Sequence, residues 1–201
     1  MVKVAGMASR LVRGAAIAGG VAAIAGLGIG YAAGQPVGAK DILPARKLPA
    51  DLCSRLGDVS QLLPKATTGA PAPKLVQTGG AAVRCSARAD ASTQPTHTAV
   101  ELVITITPYA GKEAGAGQSP FKPEAVARQV FDRRSMKAVP DRSSMKMDSR
   151  QNPGGQSWNI TVLTVRADIV VQVDYNAQPI ERAAAQQAAV VMADRAIWGS
   201  Q

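Results

Sequence analysis

An uncharged segment near the beginning of the chain constrains this protein more than any other feature of its sequence. No charged residue occurs between positions 14 and 34. As an α-helix, this segment would extend about 31 Å at ~1.5 Å per residue, which is enough to cross the ~30 Å hydrocarbon layer of a membrane. Lys3, Arg10 and Arg13 precede the segment and no acidic residue does. The first 13 residues are therefore expected to remain in the cytoplasm, and the rest of the chain to lie outside.

The main alternative to an uncleaved anchor is a signal peptide that is removed after export, which would make the protein secreted. Small residues at the spacing required for cleavage occur at 32–34 and at 37–39. The uncharged run is longer than the apolar core of a usual signal peptide. That length favours a single-pass anchor in the cell membrane.

Small residues recur at every fourth position of the same segment, a pattern that allows two membrane helices to pack closely. It would permit a homodimer mediated by this helix. Ala and Gly make up 15 of the 21 residues, however, and such a composition produces the pattern by itself. The residues concerned are Gly14, Ala18, Ala22, Gly26, Gly30 and Gly34.

The remainder of the chain divides into a linker and one domain. Residues 35–48 contain Pro36, Pro44 and Gly38 together with charges of both signs, which is typical of an extended linker. The following residues are numerous enough for one domain of common size, and an apolar content of 46% allows the chain to bury a core. The predicted parts are a basic cytoplasmic tail 1–13, a membrane helix 14–34, a linker 35–48 and an extracytoplasmic domain 49–201.

The two cysteines of the chain are predicted to form one disulfide. Cys53 lies in a predicted helix that begins at Pro49 and ends at Pro64, and Cys85 lies in a predicted strand over 82–88. Residues 66–80, between them, have the composition of a surface loop. A redox pair usually has closer spacing, and a zinc site needs more ligands than two cysteines and the single histidine. In an exported chain, a structural disulfide is therefore the favoured interpretation of the two cysteines. No metal or cofactor is predicted.

The rest of the domain alternates between strand and helix patterns. Residues 98–107 alternate between apolar and polar, with Val100, Leu102 and Ile104 on one side, which predicts a strand with one buried face. Two β-branched runs separated by three residues predict a hairpin. The predicted elements are strand 98–107, helix 123–134, strands 158–165 and 169–175, and helix 179–198, with a short strand around 144–148.

These elements predict an α+β fold in which helices cover the apolar face of an antiparallel sheet. Helix 123–134 is expected to bury Val126 and Val130, together with Phe131 and Ala127. Because aromatic residues make up only 3% of the chain, its tryptophans and phenylalanines are expected to anchor the core. The last helix is expected to face the core with a stripe through Ile180, Ala184, Ala188, Val191 and Trp198. Trp198, near the end of the chain, is predicted to pack this helix down. The expected anchors are Phe121, Phe131, Trp158 and Trp198.

The order of these motifs resembles actinobacterial cell-envelope domains, secreted or membrane-anchored, whose activity is mostly unknown. The features shared are Leu52-Cys53 on a first helix, Val83-Arg84-Cys85 on a strand, the alternating strand 100–106, a helix opened by Pro123-Glu124 and a last Ala-rich helix. The resemblance covers residues 49–198. It implies a PsbP-like α/β sandwich and a place in the envelope, and any function inferred from it is analogy.

No arrangement typical of an active site occurs in the sequence. His97 is the only histidine, and no serine lies in a nucleophile elbow. A glycoside hydrolase needs two carboxylates in one cleft, and Glu101, Asp168 and Asp174 lie on or beside strands without any pattern that pairs them. We therefore predict a non-catalytic envelope domain that binds a ligand or an envelope protein. The alternative is a cell-envelope hydrolase.

A basic segment provides a further alternative. The net charge of +9 favours anionic partners, and six cations fall within 18 residues. They would allow binding to anionic lipid or wall polymer, although such a segment is more often an ordinary solvated surface. Nucleic acid is not expected, because no aromatic residues alternate with these cations. The candidate residues are Arg133, Arg134, Lys137, Arg142, Lys146 and Arg150.

Overall fold

The computed structural model describes residues 41–59, 62, 75–78, 81–89, 99–115, 118–153 and 156–200. The predicted membrane helix 14–34 and the tail before it lie outside these ranges. Among the described residues, no helix combines the length and apolar character that membrane crossing requires. The chain forms two compact units, of which the larger comprises Ile42–Lys112 and Phe121–Gln201. The smaller unit, Met1–Asp41 with Glu113–Pro120, is described only at Asp41 and in parts of 113–120.

The larger unit contains one seven-stranded sheet in which every neighbouring pair is antiparallel, as expected for an α+β fold. The spatial order is β1-β2-β3-β7-β6-β5-β4. The strands are β1 Val76–Thr78, β2 Val83–Ala89, β3 Ala99–Pro108, β4 Lys137–Val139, β5 Arg142–Gln151, β6 Trp158–Arg166 and β7 Ile169–Gln178. The helices described are α1 Leu52–Arg55, α2 Pro123–Arg133 and α3 Arg182–Gly199.

The predicted alternation of apolar and polar residues in strand β3 is confirmed. In β3, Leu102 and Ile104 are fully buried, whereas Thr105 between the apolar positions is half-buried and Glu101 is exposed. Leu102 lies opposite Ala87 of β2 and Tyr175 of β7. Because directly paired residues point to the same side, the apolar positions of neighbouring strands form one continuous buried face.

Helices α1 and α3 cover this apolar face. Helix α3 contacts the sheet mainly through alanines, whose small side chains allow the helix to lie close to the strands. The predicted stripe is confirmed at Ala188, which is buried, but it is wrong at Ala184, which is exposed. Two of the expected anchors are also wrong, because Trp198 is 63% exposed and Phe121 is 48% exposed. The residues of α3 that are buried are Ala185, Ala188, Ala189, Met192, Ala193, Ala196 and Ile197.

Helix α2 packs on the other face of the sheet, so helices cover both faces rather than one. Pro123, Ala127 and Phe131 are spaced by four residues, and their buried stripe faces the sheet. Val126 and Val130, which were expected to be buried, are half-buried because they lie beside this stripe. The small core under α2 consists of Ala127, Phe131, Leu163, Val165 and Val170.

Three segments differ from expectation. The first helix ends at Arg55, because Gly57 adopts a φ of +73°, which reverses the chain. The predicted loop 66–80 contributes the short edge strand β1 at its end. The polar segment 135–155, expected to hold only a short strand, contains both β4 and the ten-residue β5.

The disulfide joins the beginning of the domain to the sheet. Cys53 of α1 and Cys85 of β2 are bonded, with 5.5 Å between their Cα atoms, and both are buried in the main core. Before α1, Arg46 binds Asp168, and the carbonyl of Leu43 accepts a hydrogen bond of 2.8 Å from Gly111. The last residues of the predicted linker 35–48 are therefore held against the domain.

Candidate functional site

The cations of the basic segment are used in different ways, and Lys146 has a structural role. Its ammonium donates to the carbonyl oxygens of Phe131, Asp132 and Arg134, at 3.0, 3.0 and 2.9 Å. It also lies 4.8 Å from the centre of the Phe131 ring. Carbonyls at the end of a helix lack intrahelical partners and carry partial negative charge, so Lys146 caps α2.

The other five cations of the segment make different contacts or remain exposed. Arg142 pairs with Asp194 of α3, on the face of the sheet opposite to α2. Arg150 pairs with Asp148 at 3.1 Å within β5. The three remaining cations are exposed: one is on α2, one directly follows α2 and one is on β4. They are Arg133, Arg134 and Lys137.

The three candidate carboxylates that the structure describes are each engaged in other contacts. Glu101 pairs with Arg88 at 3.0 Å on the exposed surface. Asp174 accepts hydrogen bonds of 2.8 Å from Thr161 and from Gln172. Asp168 is held by Arg46, and His97 lies outside the described residues.

A groove of about 470 Å³ opens between the end of α3 and strands β5 and β6. This volume lies within the range of roughly 300–1,000 Å³ typical of small-ligand sites. We call it the Trp198 groove. It is lined by Asp141, Arg142, Ser143, Ser144, Met145, Thr164, Val165, Arg166, Asp194, Ile197 and Trp198.

Two arginines from the sheet contact α3 along this groove. The Arg142 Nη1 atom lies 2.9 and 2.6 Å from the two carboxylate oxygens of Asp194. The guanidinium carbon of Arg166 lies 3.6 Å from the centre of the Trp198 ring, a cation–π contact. Asp194 and Trp198 are four residues apart, so they lie on the same side of α3.

The base of the groove is apolar and its rim is polar. Met145 and Ile197 are buried. The buried hydroxyl of Thr164 donates to the carbonyl of Ser144 at 3.1 Å. At the rim, Ser143 and Ser144 are exposed. The Trp198 ring is therefore the main apolar surface that the described part of the groove offers to solvent.

A second concavity of about 370 Å³ lies on the other face of the sheet. Its polar side chains mostly bind each other: Asn152 donates to Ser157 at 2.9 Å and to Asn176 at 3.4 Å, and Arg88 pairs with Glu101. Among its described lining residues none is aromatic. This surface offers less for ligand recognition than the Trp198 groove does.

Three described groups with displaced pKa values lie outside both concavities. Burial raises the pKa of Tyr175 to about 12, and its hydroxyl donates to the carbonyl of Leu62 at 3.0 Å. Burial also raises the pKa of Tyr109. The hydrogen bond from Arg55 lowers the pKa of Asp51.

Comparison of the sequence with families of known proteins and with curated proteins finds no match. The candidate site therefore rests on geometry. The sequence pattern missed it because Trp198 was assigned to the core. A signal was present nonetheless: the run Met192, Ala193, Ala196 and Ile197 defines an apolar stripe that excludes position 198.

Proposed function

We propose that this chain is a membrane-anchored protein whose domain lies outside the cytoplasm and binds a ligand or envelope partner, without catalysis, through the Trp198 groove. The observation that carries the proposal is the exposure of Trp198, 63% of whose surface is open to solvent beside a concave surface. Trp and Arg are the residues most enriched at binding hot spots. Here a Trp and an Arg stack against each other at the mouth of a groove.

Two features support the extracytoplasmic location. The Cys53–Cys85 disulfide is of a kind that persists in oxidising compartments and is rare in the cytosol. The uncharged segment 14–34 has the length of a membrane span, and all the charged residues before it are basic. Cleavage after this segment would release the same domain as a secreted protein, and pairing of the segment would give a homodimer. The binding function is the same in each case.

The location is tested by labelling thiols in intact cells with a membrane-permeant reagent, with and without reductant, and by measuring the mass of the chain. We expect Cys53 and Cys85 to resist labelling until reduced, and the full-length mass to be retained. Free thiols in a full-length chain would place the domain in the cytoplasm and would contradict the proposal. Protected thiols in a shortened chain would instead indicate secretion.

The binding function is tested with the full chain in phosphocholine nanodiscs, exposed to separated lipid, polysaccharide and protein fractions of the envelope. We expect one fraction to bind saturably, and Trp198→Ala to abolish the binding. Phe121→Ala is the matched control, because Phe121 is an exposed aromatic (48%) that does not line the groove. Binding that survives Trp198→Ala, or chemical conversion of the bound material, would overturn the proposal.

A further inference from the structure

We infer that the Trp198 groove recognises a neutral carbohydrate, with one pyranose ring lying against the indole of Trp198. This inference rests on the proposed function and specifies its ligand class. It follows from the chemistry of the groove: one aromatic platform, a rim of hydroxyl and carboxylate groups, and formal charges that cancel.

The platform is a single indole, with one face open for a ligand. Arg166 covers one face of the Trp198 indole at 3.6 Å, yet 63% of the residue remains exposed. The exposed area therefore belongs largely to the opposite face and the ring edge. The face of an aromatic ring is electron-rich. The axial C–H bonds on one side of a pyranose are weakly positive, so that side of the sugar matches the indole face.

The rim supplies groups that pair with sugar hydroxyls. Ser143 and Ser144 carry hydroxyls that both donate and accept, and the Asp141 carboxylate accepts. All three residues are exposed and line the groove. Asp141 has a φ of 58° in the turn between β4 and β5, and this turn places its side chain at the rim. A pyranose has the complementary form, a C–H face surrounded by hydroxyls.

The charges of the groove do not favour an anionic ligand. Two carboxylates, Asp141 and Asp194, are matched by two guanidinium groups, Arg142 and Arg166. Arg142 and Asp194 already neutralise each other, since one guanidinium nitrogen contacts both carboxylate oxygens. Attraction of a charged ligand depends on a complementary potential, and here the formal charge of the lining is zero.

The groove is also unsuited to an apolar peptide anchor. Such an anchor needs an open apolar pocket. The aliphatic lining residues are already packed: Met145, Val165 and Ile197 are all buried. Among the described lining residues, only the indole presents a large apolar surface, and it has the width of one sugar ring.

The test is a titration of the full chain in phosphocholine nanodiscs, which contain no sugar head groups. The probes are neutral tetrasaccharides built from α- or β-linked glucose, mannose, galactose or N-acetylglucosamine, with oligogalacturonate as an anionic comparison. Saturation-transfer NMR reports binding from the ligand side. Fluorescence of a Trp158→Phe variant reports on Trp198 alone, since the chain contains two tryptophans.

We expect at least one neutral saccharide to bind saturably. Its affinity should change little between about 0.05 and 0.5 M salt, a range over which attraction between charges is strongly screened. Trp198→Ala should weaken binding about tenfold or more, because it removes the stacking surface. Asp141→Asn should weaken it about three- to tenfold through loss of a charged acceptor. Phe121→Ala should leave it unchanged.

Two results would overturn the inference: no saturable binding by any neutral saccharide in the panel, or salt-sensitive binding of oligogalacturonate alone. If either occurs while envelope material still requires Trp198, the ligand class is wrong and the proposed binding function stands. If envelope material binds the Trp198→Ala protein as well as the unaltered chain, the proposed function fails together with the inference.

Discussion

Arg46 and Asp168, which are 122 residues apart, form an ion pair that ties the beginning of the domain to the turn between β6 and β7. The Arg46 Nε donates to an Asp168 carboxylate oxygen at 2.9 Å, and a terminal nitrogen of the same guanidinium contacts the other oxygen. The Asp168 side chain is only 7% exposed, whereas that of Arg46 is 41% exposed. Loss of the contact would therefore leave a buried carboxylate without its cation, whereas the Arg46 guanidinium could still be solvated.

Replacement of Arg46 by Ala should destabilise the domain by about 1–3 kcal/mol, because the buried carboxylate of Asp168 loses its partner. Urea denaturation of the purified chain measures the free energy of unfolding. The control is Arg55→Ala, which removes an exposed pair with Asp51 and should cost roughly 0–1 kcal/mol. Equal losses for the two variants would show that the buried pair has no special role.

Replacement of Lys146 by Met should destabilise the domain by about 1–3 kcal/mol, since three carbonyls at the end of α2 lose their donor. Lys137→Met is the matched control, because Lys137 is an exposed lysine on the neighbouring strand β4. It should change the stability by less than about 0.5 kcal/mol. The prediction is contradicted if Lys146→Met is as stable as the control in urea.

Removal of the disulfide in a Cys53→Ala, Cys85→Ala variant should lower the free energy of unfolding by about 3–4 kcal/mol. The two cysteines are 32 positions apart, and the bond restricts the unfolded chain over that loop. Urea titrations of both proteins, with and without reductant, measure the difference. Reductant should destabilise the unaltered chain and leave the variant unchanged. Insensitivity of the unaltered chain would indicate that the bond does not form in solution.

The stability of the domain should fall at high pH through Tyr175. Burial raises its pKa from about 10.0 to about 12, so the folded state favours the neutral phenol. This contribution is complete below about pH 10 and is lost as the pH rises through about 12, a fall of roughly 3 kcal/mol. Urea titrations at closely spaced pH values should show a shallower decline for Tyr175→Phe than for the unaltered chain. Parallel declines would rule out Tyr175 as the group responsible.

Replacement of Trp198 by Ala should cost only about 0.5–1 kcal/mol, the value of an exposed cation–π contact. Phe131→Ala is the comparison, because Phe131 is buried under α2 and should cost about 3–5 kcal/mol. Thermal or urea denaturation distinguishes the two. A loss for Trp198 as large as that for Phe131 would mean that the indole serves the core, and its role as a binding surface would lose its support.

Strands β2, β3, β6 and β7 and the main helices could be predicted because their patterns are local. The alternation from Val100 to Ile106 and the two β-branched runs around residue 167 depend only on the period of a strand, and each is found where expected. Helix α2 was predicted within one residue, since Pro123 opens it. The cysteine pair was predictable because only one intramolecular pairing of two cysteines exists.

The rotation of α3 could not be predicted with the same precision. Each residue turns an α-helix by about 100°, so a small shift in the assigned stripe moves a residue from the core to the surface. The stripe through Ala184 and Trp198 and the observed one through Ala185 and Ala189 differ by one position. Only the contact of α3 with the sheet decides between them, and that choice exposes Trp198.

Local pattern was thus sufficient for the α+β class, the disulfide and the succession of the main elements, because hydrophobic period and capping act over a few residues. The groove and the ion pairs of Arg142 and Arg46 depend on segments that are distant in the chain. Arg142 meets Asp194 across 52 positions, and Arg46 meets Asp168 across 122. Such pairs form only when tertiary packing brings side chains that are distant in the chain within hydrogen-bonding distance, about 3 Å.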